Sequence, residues 1–311
     1  MQSRTHITHV SSRHKYFLKP TDMLALLNIH GPTITASEGP ENQMYRKVAA
    51  PSFGEDTHRS VWNVSLEQAG SMLDIWEKEQ GNVPHVDVYS NRFALHVLSA
   101  VFFDKTMAWG SEDNDKPPPG HALTYTDAIS TAFKSNETLF MTPPLILHYS
   151  PLKLHVSAQQ SYVEFKTYMS EMRDATASRL RNSSIENTAA SGSLLENFVR
   201  AGTPDLWHDD LSISPAAVLG NMFIFILAGH ETSANTLTHA LTLLALHPSF
   251  QSRLQNELDD ILGDSEPVSW SYLDHFPRLL NSCVSAKRAV PLRFVKRRIV
   301  RFSGVMRDGL I

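Results

Sequence analysis

The stretch Ser214–Pro248, SPAAVLGNMFIFILAGHETSANTLTHALTLLALHP, decides how the rest of the chain must fold. It opens on a helix-start signal, Ser214 as N-cap with Pro215 at the first helical position, and meets no strong breaker before Pro248. At 1.5 Å per residue the predicted helix is about 50 Å long, enough to cross a whole domain, so other helices must pack around it. In its middle, where a core helix should be most apolar, stand Ala228, Gly229, His230, Glu231, Thr232 and Ser233. Glycine in a helix interior costs about 1 kcal/mol relative to alanine, and a carboxylate buried without a partner costs more. Rules broken at the centre of a long apolar helix are expected at functional sites.

At 3.6 residues per turn, Asn221, Phe225, Ala228, Thr232 and Thr236 share one face, with Gly229 beside Ala228. Small residues there would let something flat and rigid approach the backbone, or let another helix cross closely. The opposite stripe, Leu219, Met222, Phe223, Ile226, Leu237, Leu241 and Leu244, suits core packing. The Thr232 hydroxyl can bond the Ala228 carbonyl and bend the helix at Gly229, opening a groove. A carboxylate and a hydroxyl side by side in such a groove, Glu231 and Thr232, make a route for protons. His230 with Glu231 invites comparison with a zinc-protease helix, but that signature needs a second histidine where Ala234 stands.

Outside this stretch the pattern is mainly helical. The 311 residues, 42% of them hydrophobic, suffice for a core of ordinary size. Residues 1–40 are loop-rich, with a helical candidate at Thr21–Leu27. Helices are predicted within Ala36–Phe53, stopped near Pro51, and over His58–Gln80, Asn91–Phe103, 121–139, 155–181 and 193–201. GSEDNDKPPPG (110–120), MTPPLILHYSP (141–151) and SSIENTAASG (183–192) read as turn-rich connections. After Pro248 an amphipathic helix carries Phe250, Leu254, Leu258, Ile261 and Leu262 on one stripe and stops at Gly263; a shorter helical segment follows at 270–284. The expected division is one helical domain over 1–286 and a basic, disordered tail over 287–311, where eight Lys or Arg face one acid, Asp308.

Charge and cysteine content narrow the function. A net charge of -4 gives no reason to expect nucleic acid as a partner. The single cysteine, Cys283, excludes an internal disulfide and any multi-cysteine metal site, and no metal ligand is assigned. The N-terminus has no apolar run long enough for a signal peptide or membrane anchor. Ala216–Ala228, the most apolar run, contains Asn221 and falls well short of the roughly 20 residues a span requires. The triplets beginning at Asn63, Asn136 and Asn182 match the glycosylation pattern only as short chance motifs.

Ala228-Gly229-His230-Glu231-Thr232-Ser233 resembles the motif of the long central helix in the haem-thiolate monooxygenases, the cytochrome P450s: Ala or Gly, Gly, any residue, Asp or Glu, Thr, then Thr or Ser. The apolar approach FIFILAGHETSAN, the helix end at Leu244–Pro248 and the following QSRLQNEL agree with it. SEGPENQMYRKVAAPSF is similar to the family helix whose arginine contacts a haem propionate; Arg46 matches that arginine, while Asn42 replaces the family's aromatic residue four positions earlier. The resemblance covers about residues 17–284 and implies part of a cytochrome P450-like helical fold, with most of its β-sheet and its thiolate loop absent from this chain.

The resemblance also implies a chemistry. Arg46, Ala228 and Gly229 would bind haem (iron protoporphyrin IX), Thr232 would hydrogen-bond dioxygen, and Glu231 would relay protons for O–O cleavage before a small apolar organic substrate is hydroxylated. An electron-donating reductase is the implied partner. Full-length eukaryotic relatives are typically anchored to the endoplasmic reticulum. The family's Glu-x-x-Arg pair occurs nowhere in this chain, and Cys283 lacks the Gly, Arg and Gly of the ligand loop, having Leu279, Asn281 and Ser285 instead. Cys283 is therefore read as an ordinary buried thiol, and the chain as written is expected to be inactive. Family-like patterning stops after LDHFPRLLNSCV, as a shifted reading frame or an unspliced intron would produce, which sequencing the transcript across codons 280–295 decides. The alternative is a non-catalytic helical protein that binds a small apolar ligand or a partner.

Overall fold

The helical periodicities become helices throughout the computed structural model, which describes residues 18–80, 83, 85–109, 116–182, 192–206 and 212–262. They are α1 (Thr21–Leu24), α2 (Gly39–Ala49), α3 (Glu55–Lys78), α4 (Val86–Phe103), α5 (Tyr125–Lys134), α6 (Asn136–Met141), α7 (Pro144–Tyr149), α8 (Lys153–Asn182), α9 (Leu194–Ala201), α10 (Pro215–Leu246) and α11 (Pro248–Leu262). Short 3₁₀ turns follow α1 at Ala25–Leu27 and α2 at Ala50–Phe53. No strand occurs among the described residues, so the fold is mainly α, as the patterning requires.

Where the elements differ from the sequence expectation, turn chemistry explains most of it. MTPPLILHYSP is not merely a turn: Pro143 is extended, and Pro144 starts α7 at a first-turn position where its missing N–H is not needed. The helix expected over 121–139 is two helices that break at Ser135. α3 and α4 begin earlier than expected, at Glu55 and Val86, and each carries an acid in its first turn, Glu55 and Asp56 in one, Asp87 in the other. The segment 270–284, Cys283 and the basic tail lie outside the described residues.

The chain divides into two compact units, Met1–Pro51 with Ile129–Ile224 and Ser52–Ala128 with Phe225–Ile311. In the first, Phe165 and Met169 of α8, Leu194, Leu195 and Phe198 of α9, and Met222 and Phe223 of α10 are fully buried. Ser193 caps α9 by accepting the Glu196 N–H at 3.2 Å, and Glu196 is bridged to Arg179 of α8 at 2.8 Å. The segment 31–34 lies directly on the first turns of α10. A Cβ on Gly31, whose φ is +142°, would fall 2.0 Å from the Ala216 carbonyl oxygen, and one on Gly220 would fall 2.4 Å from the Gly31 oxygen.

The second unit is built around α3 and α4. Their facing stripes, Ala69, Met72, Leu73 and Trp76 on one and Val86, Phe93 and Val97 on the other, form one apolar cluster with Leu237 and Leu241 of α10. Burying each such side chain contributes about 1.5–3 kcal/mol, enough to hold the later turns of α10 against this pair. A polar node sits beside the cluster. Gln68 Oε1 accepts Trp109 Nε1–H at 2.8 Å and lies 2.8 Å from His96 Nδ1, while Gln68 Nε2 donates to the Met107 carbonyl at 3.4 Å.

Candidate functional site

The long helix forms as its end signals require. Ser214 Oγ accepts the Ala217 N–H at 3.1 Å, and α10 stops at Leu246 because His247 precedes a proline. Its packing stripe is buried as expected at Leu219, Met222, Phe223, Ile226, Leu237 and Leu241, while Leu244 is only half-buried. The other face changes character along its length. Asn221, expected beside the groove, is fully buried. Its Oδ1 accepts the Ile34 N–H at 2.9 Å, and its Nδ2 donates to Ala217 O at 2.9 Å and Pro32 O at 3.4 Å. It ties the 31–34 segment to α10 from a buried position.

From Phe225 onward, in the second unit, that face opens. Phe225 is half-buried and Ala228, Glu231, Thr232 and Ser233 are exposed, so Glu231 does not incur the burial cost that an apolar helix centre threatened. The Thr232 hydroxyl donates to the Ala228 carbonyl at 2.7 Å, the local bond anticipated from its position, and Thr236 repeats it one turn later, donating to the Thr232 carbonyl at 2.8 Å. With its proton engaged, the Thr232 oxygen presents only acceptor capacity to the open side. Three phenyl rings adjoin this edge. Phe53 lies 5.3 Å from Phe102 and 5.9 Å from Phe225, centroid to centroid.

Gly229 faces a different neighbour. A Cβ there would come within 2.8 Å of Leu98 Cδ1, so its missing side chain admits α4. His230, considered in the sequence only for a zinc motif, is buried on the same side. Its Nε2 lies 3.1 Å from the Asn91 carbonyl oxygen, and burial holds its pKa down at about 4 despite the opposing effect of that bond. The signal that places His230 there is its spacing, since it falls in line with Ile226, Ala234, Leu237 and Leu241 on the packed stripe.

Arg46 belongs to the first unit. It lies in the last turn of α2, exposed, beside the buried Tyr45, Val48 and Ala49. Asn42, on the same helix, does not face outward as a binding group. Its Nδ2 donates to the Ile34 carbonyl at 2.7 Å and to Ser37 Oγ at 3.4 Å, and Lys19 Nζ donates to the same two residues' carbonyls at 3.2 and 3.0 Å. The long helix thus brings Ala228, Gly229, Glu231 and Thr232 together on adjacent turns. No group of three or more His, Cys, Asp or Glu side chains that could hold a metal ion occurs among the described residues, and none of their helices is long and apolar enough to cross a membrane.

The comparisons with known proteins agree on the family. The family model described as Cytochrome P450 matches residues 2–285. A cytochrome P450 monooxygenase of Penicillium roqueforti is 29% identical over 280 residues, covering 86% of this chain and 48% of the relative. One from Arthrobotrys oligospora is 27% identical over 297 residues, with 89% and 50% covered. The chain therefore spans about half the length of the curated relatives it matches. Among solved structures, a cytochrome P450 haem domain aligns with a TM-score of 0.61 at 20% identity over 86% of this chain and 55% of its own. A zebrafish cytochrome P450 solved with progesterone also gives 0.61, at 18% identity over 84% and 57%. With a family match over nearly its whole length, and with the Ala-Gly-x-Glu-Thr-Ser motif in the middle of its longest helix, the chain belongs to the cytochrome P450 family of monooxygenases.

Proposed function

We propose that this chain supplies the distal part of a haem monooxygenase site that hydroxylates a small apolar substrate. What carries the reading is the open edge of α10. Small side chains at Ala228 and Thr232 leave room for a flat macrocycle, and Phe53, Phe102 and Phe225 adjoin them with apolar rings. That edge fits one face of haem. The axial thiolate is assigned to no residue, because Cys283 lies outside the described residues and lacks the family's loop.

In this reading the small, exposed Ala228 would let the ring approach the backbone of α10, with Gly229 admitting Leu98 of α4 behind it, and the resemblance assigns Arg46 of the first unit to a propionate through a charge-assisted bond. Bound haem would supply the redox activation of dioxygen that no side chain can perform. Thr232 Oγ1, its own proton held by the Ala228 carbonyl, accepts a hydrogen bond on the open side. The exposed Glu231 carboxylate takes a proton from solvent and delivers it beside that hydroxyl. The phenyl rings exclude water and orient an apolar substrate through contact alone. An electron-donating reductase completes the cycle as partner.

The test is expression with haem supplied, followed by the carbon-monoxide difference spectrum of the reduced protein. Haem uptake, read as a Soret band, is the expected result, and a band at the position characteristic of thiolate ligation would show in addition that this chain supplies the ligand. The absence of any Soret band, with haem unbound, would overturn the haem reading and leave the open apolar edge as a binding surface for a small apolar ligand.

A further inference from the structure

His230 occupies the position that the family motif leaves unspecified, and it is the motif's main inward contact. At 100° per residue it lies about 160° round α10 from both Ala228 and Thr232, directly behind the open edge. It is 3% exposed, and its Nε2 is 3.1 Å from the carbonyl oxygen of Asn91 on α4. That carbonyl sits inside a helix and already serves as a ladder acceptor, so the imidazole uses its second lone pair. A carbonyl can only accept, which fixes Nε2 as the N–H nitrogen. The neighbouring contact is apolar: a Cβ on Gly229 would come within 2.8 Å of Leu98 Cδ1 of α4. Asn91 and Leu98 are seven residues apart, two turns, and so share one edge of α4.

We infer that His230 is a positioning residue: by donating from Nε2 to the Asn91 carbonyl it fixes the rotation of α10 about its axis and holds Ala228, Glu231 and Thr232 at the open edge. A rotation of one residue's worth, about 100°, would carry Ala228 to the half-buried setting of Leu227 or Gly229, and Leu98 seated on Gly229 cannot resist it alone because leucine packing is not directional. The hydrogen bond supplies the direction. The inference rests on reading that edge as the reactive surface, but its test needs no haem. Failure to bind haem would defeat the functional reading and leave the positioning role intact.

The experiment is amide hydrogen exchange on the full chain, comparing His230→Leu and His230→Gln with Leu237→Ala, which weakens the apolar cluster on the same helix without touching the bond. Glutamine places an N–H donor near the Nε2 position; asparagine is too short to do so. Expected is exchange at residues 228–233 about fivefold faster in His230→Leu than in the wild-type chain, the ratio that one hydrogen bond of ordinary net worth supports, with the loosening in Leu237→Ala centred instead on residues 234–241. Return of His230→Gln to the wild-type rate is expected with it. Equal loosening in His230→Leu and Leu237→Ala, or a glutamine variant as loose as the leucine one, would overturn the inference. Should the leucine variant fail to fold, His230→Asn against His230→Gln gives the same reading: loosening confined to asparagine supports the role, and equal rates in the two defeat it.

Discussion

The second unit treats two of the polar sites on its apolar helices in opposite ways. Gln68 is buried, and every polar atom of its amide is engaged: Oε1 with Trp109 and His96, Nε2 with the Met107 carbonyl. Glu231 and Thr232, in the middle of the most apolar helix, stay exposed, and the Thr232 hydroxyl bonds back to its own helix. A polar group closed in on all sides holds the fold together, because removing it strands its partners. One left at an open edge contributes almost nothing to stability, so its presence needs another explanation. The Gln68 node also settles a tautomer. Indole N–H can only donate, so the atom it meets is the amide oxygen, and His96 must then carry its proton on Nδ1.

The largest test of this contrast is Gln68→Leu. It leaves the Trp109 and His96 N–H groups without their acceptor in a buried place, and the expected loss is about 3 kcal/mol of unfolding free energy. Urea denaturation measures it. A loss below about 1 kcal/mol would mean that water replaces the amide, and the node would no longer differ from the open edge. Asn221→Leu is the corresponding test in the first unit, where the Ile34 N–H loses its partner. About 2 kcal/mol is expected there, with faster amide exchange at Ile34 as the local sign.

How much of this was legible in the sequence depended on whether the information was periodic. α10 declared itself through its cap, its stripe and its proline, and the Thr232 bond to Ala228 followed from helical spacing alone. α7 was missed because paired prolines read as breakers, although proline suits a first helical turn. Asn221 was misplaced for a different reason. Its position on the wheel was right, but the segment that covers it, 31–34, is close-packed through Gly31 and Gly220, and no periodicity encodes a contact between residues so distant along the chain. The partners of Gln68 and His230 were hidden for the same reason.

Acid sharpens the comparison in another way, since His30 in the first unit and His96 and His230 in the second are buried. Burial holds His30 down at about 3, with Lys166 adding to the effect, and His96 at about 4, with Arg92 adding; burial holds His230 at about 4 against the opposing effect of its bond to Asn91. A histidine whose folded pKa lies below its unfolded value of about 6.5 favours the state that binds fewer protons. Its stability is fully present above about pH 6.5 and is lost as pH falls through the window from there to the folded pKa. Urea midpoints are therefore expected to fall steadily between about pH 6.5 and 4. His96→Gln should lessen that slope, and an unchanged slope would remove His96 from the account.

The smallest expected effect carries the most about function. Thr232→Val keeps the shape of the side chain and deletes both its bond to the Ala228 carbonyl and its outward acceptor. Hydroxyls that bond back to their own helix contribute little or slightly destabilise it, and the site is exposed, so the unfolding free energy should move by no more than about 0.5 kcal/mol. The same deletion of hydrogen bonding at Gln68 is expected to cost several times as much. A loss above about 1.5 kcal/mol at Thr232 would place it among the groups that hold the fold, and the open edge would then need no functional explanation. A loss near zero, in a variant whose chemistry at that edge has been removed, separates what the helix needs in order to fold from what it presents at its surface.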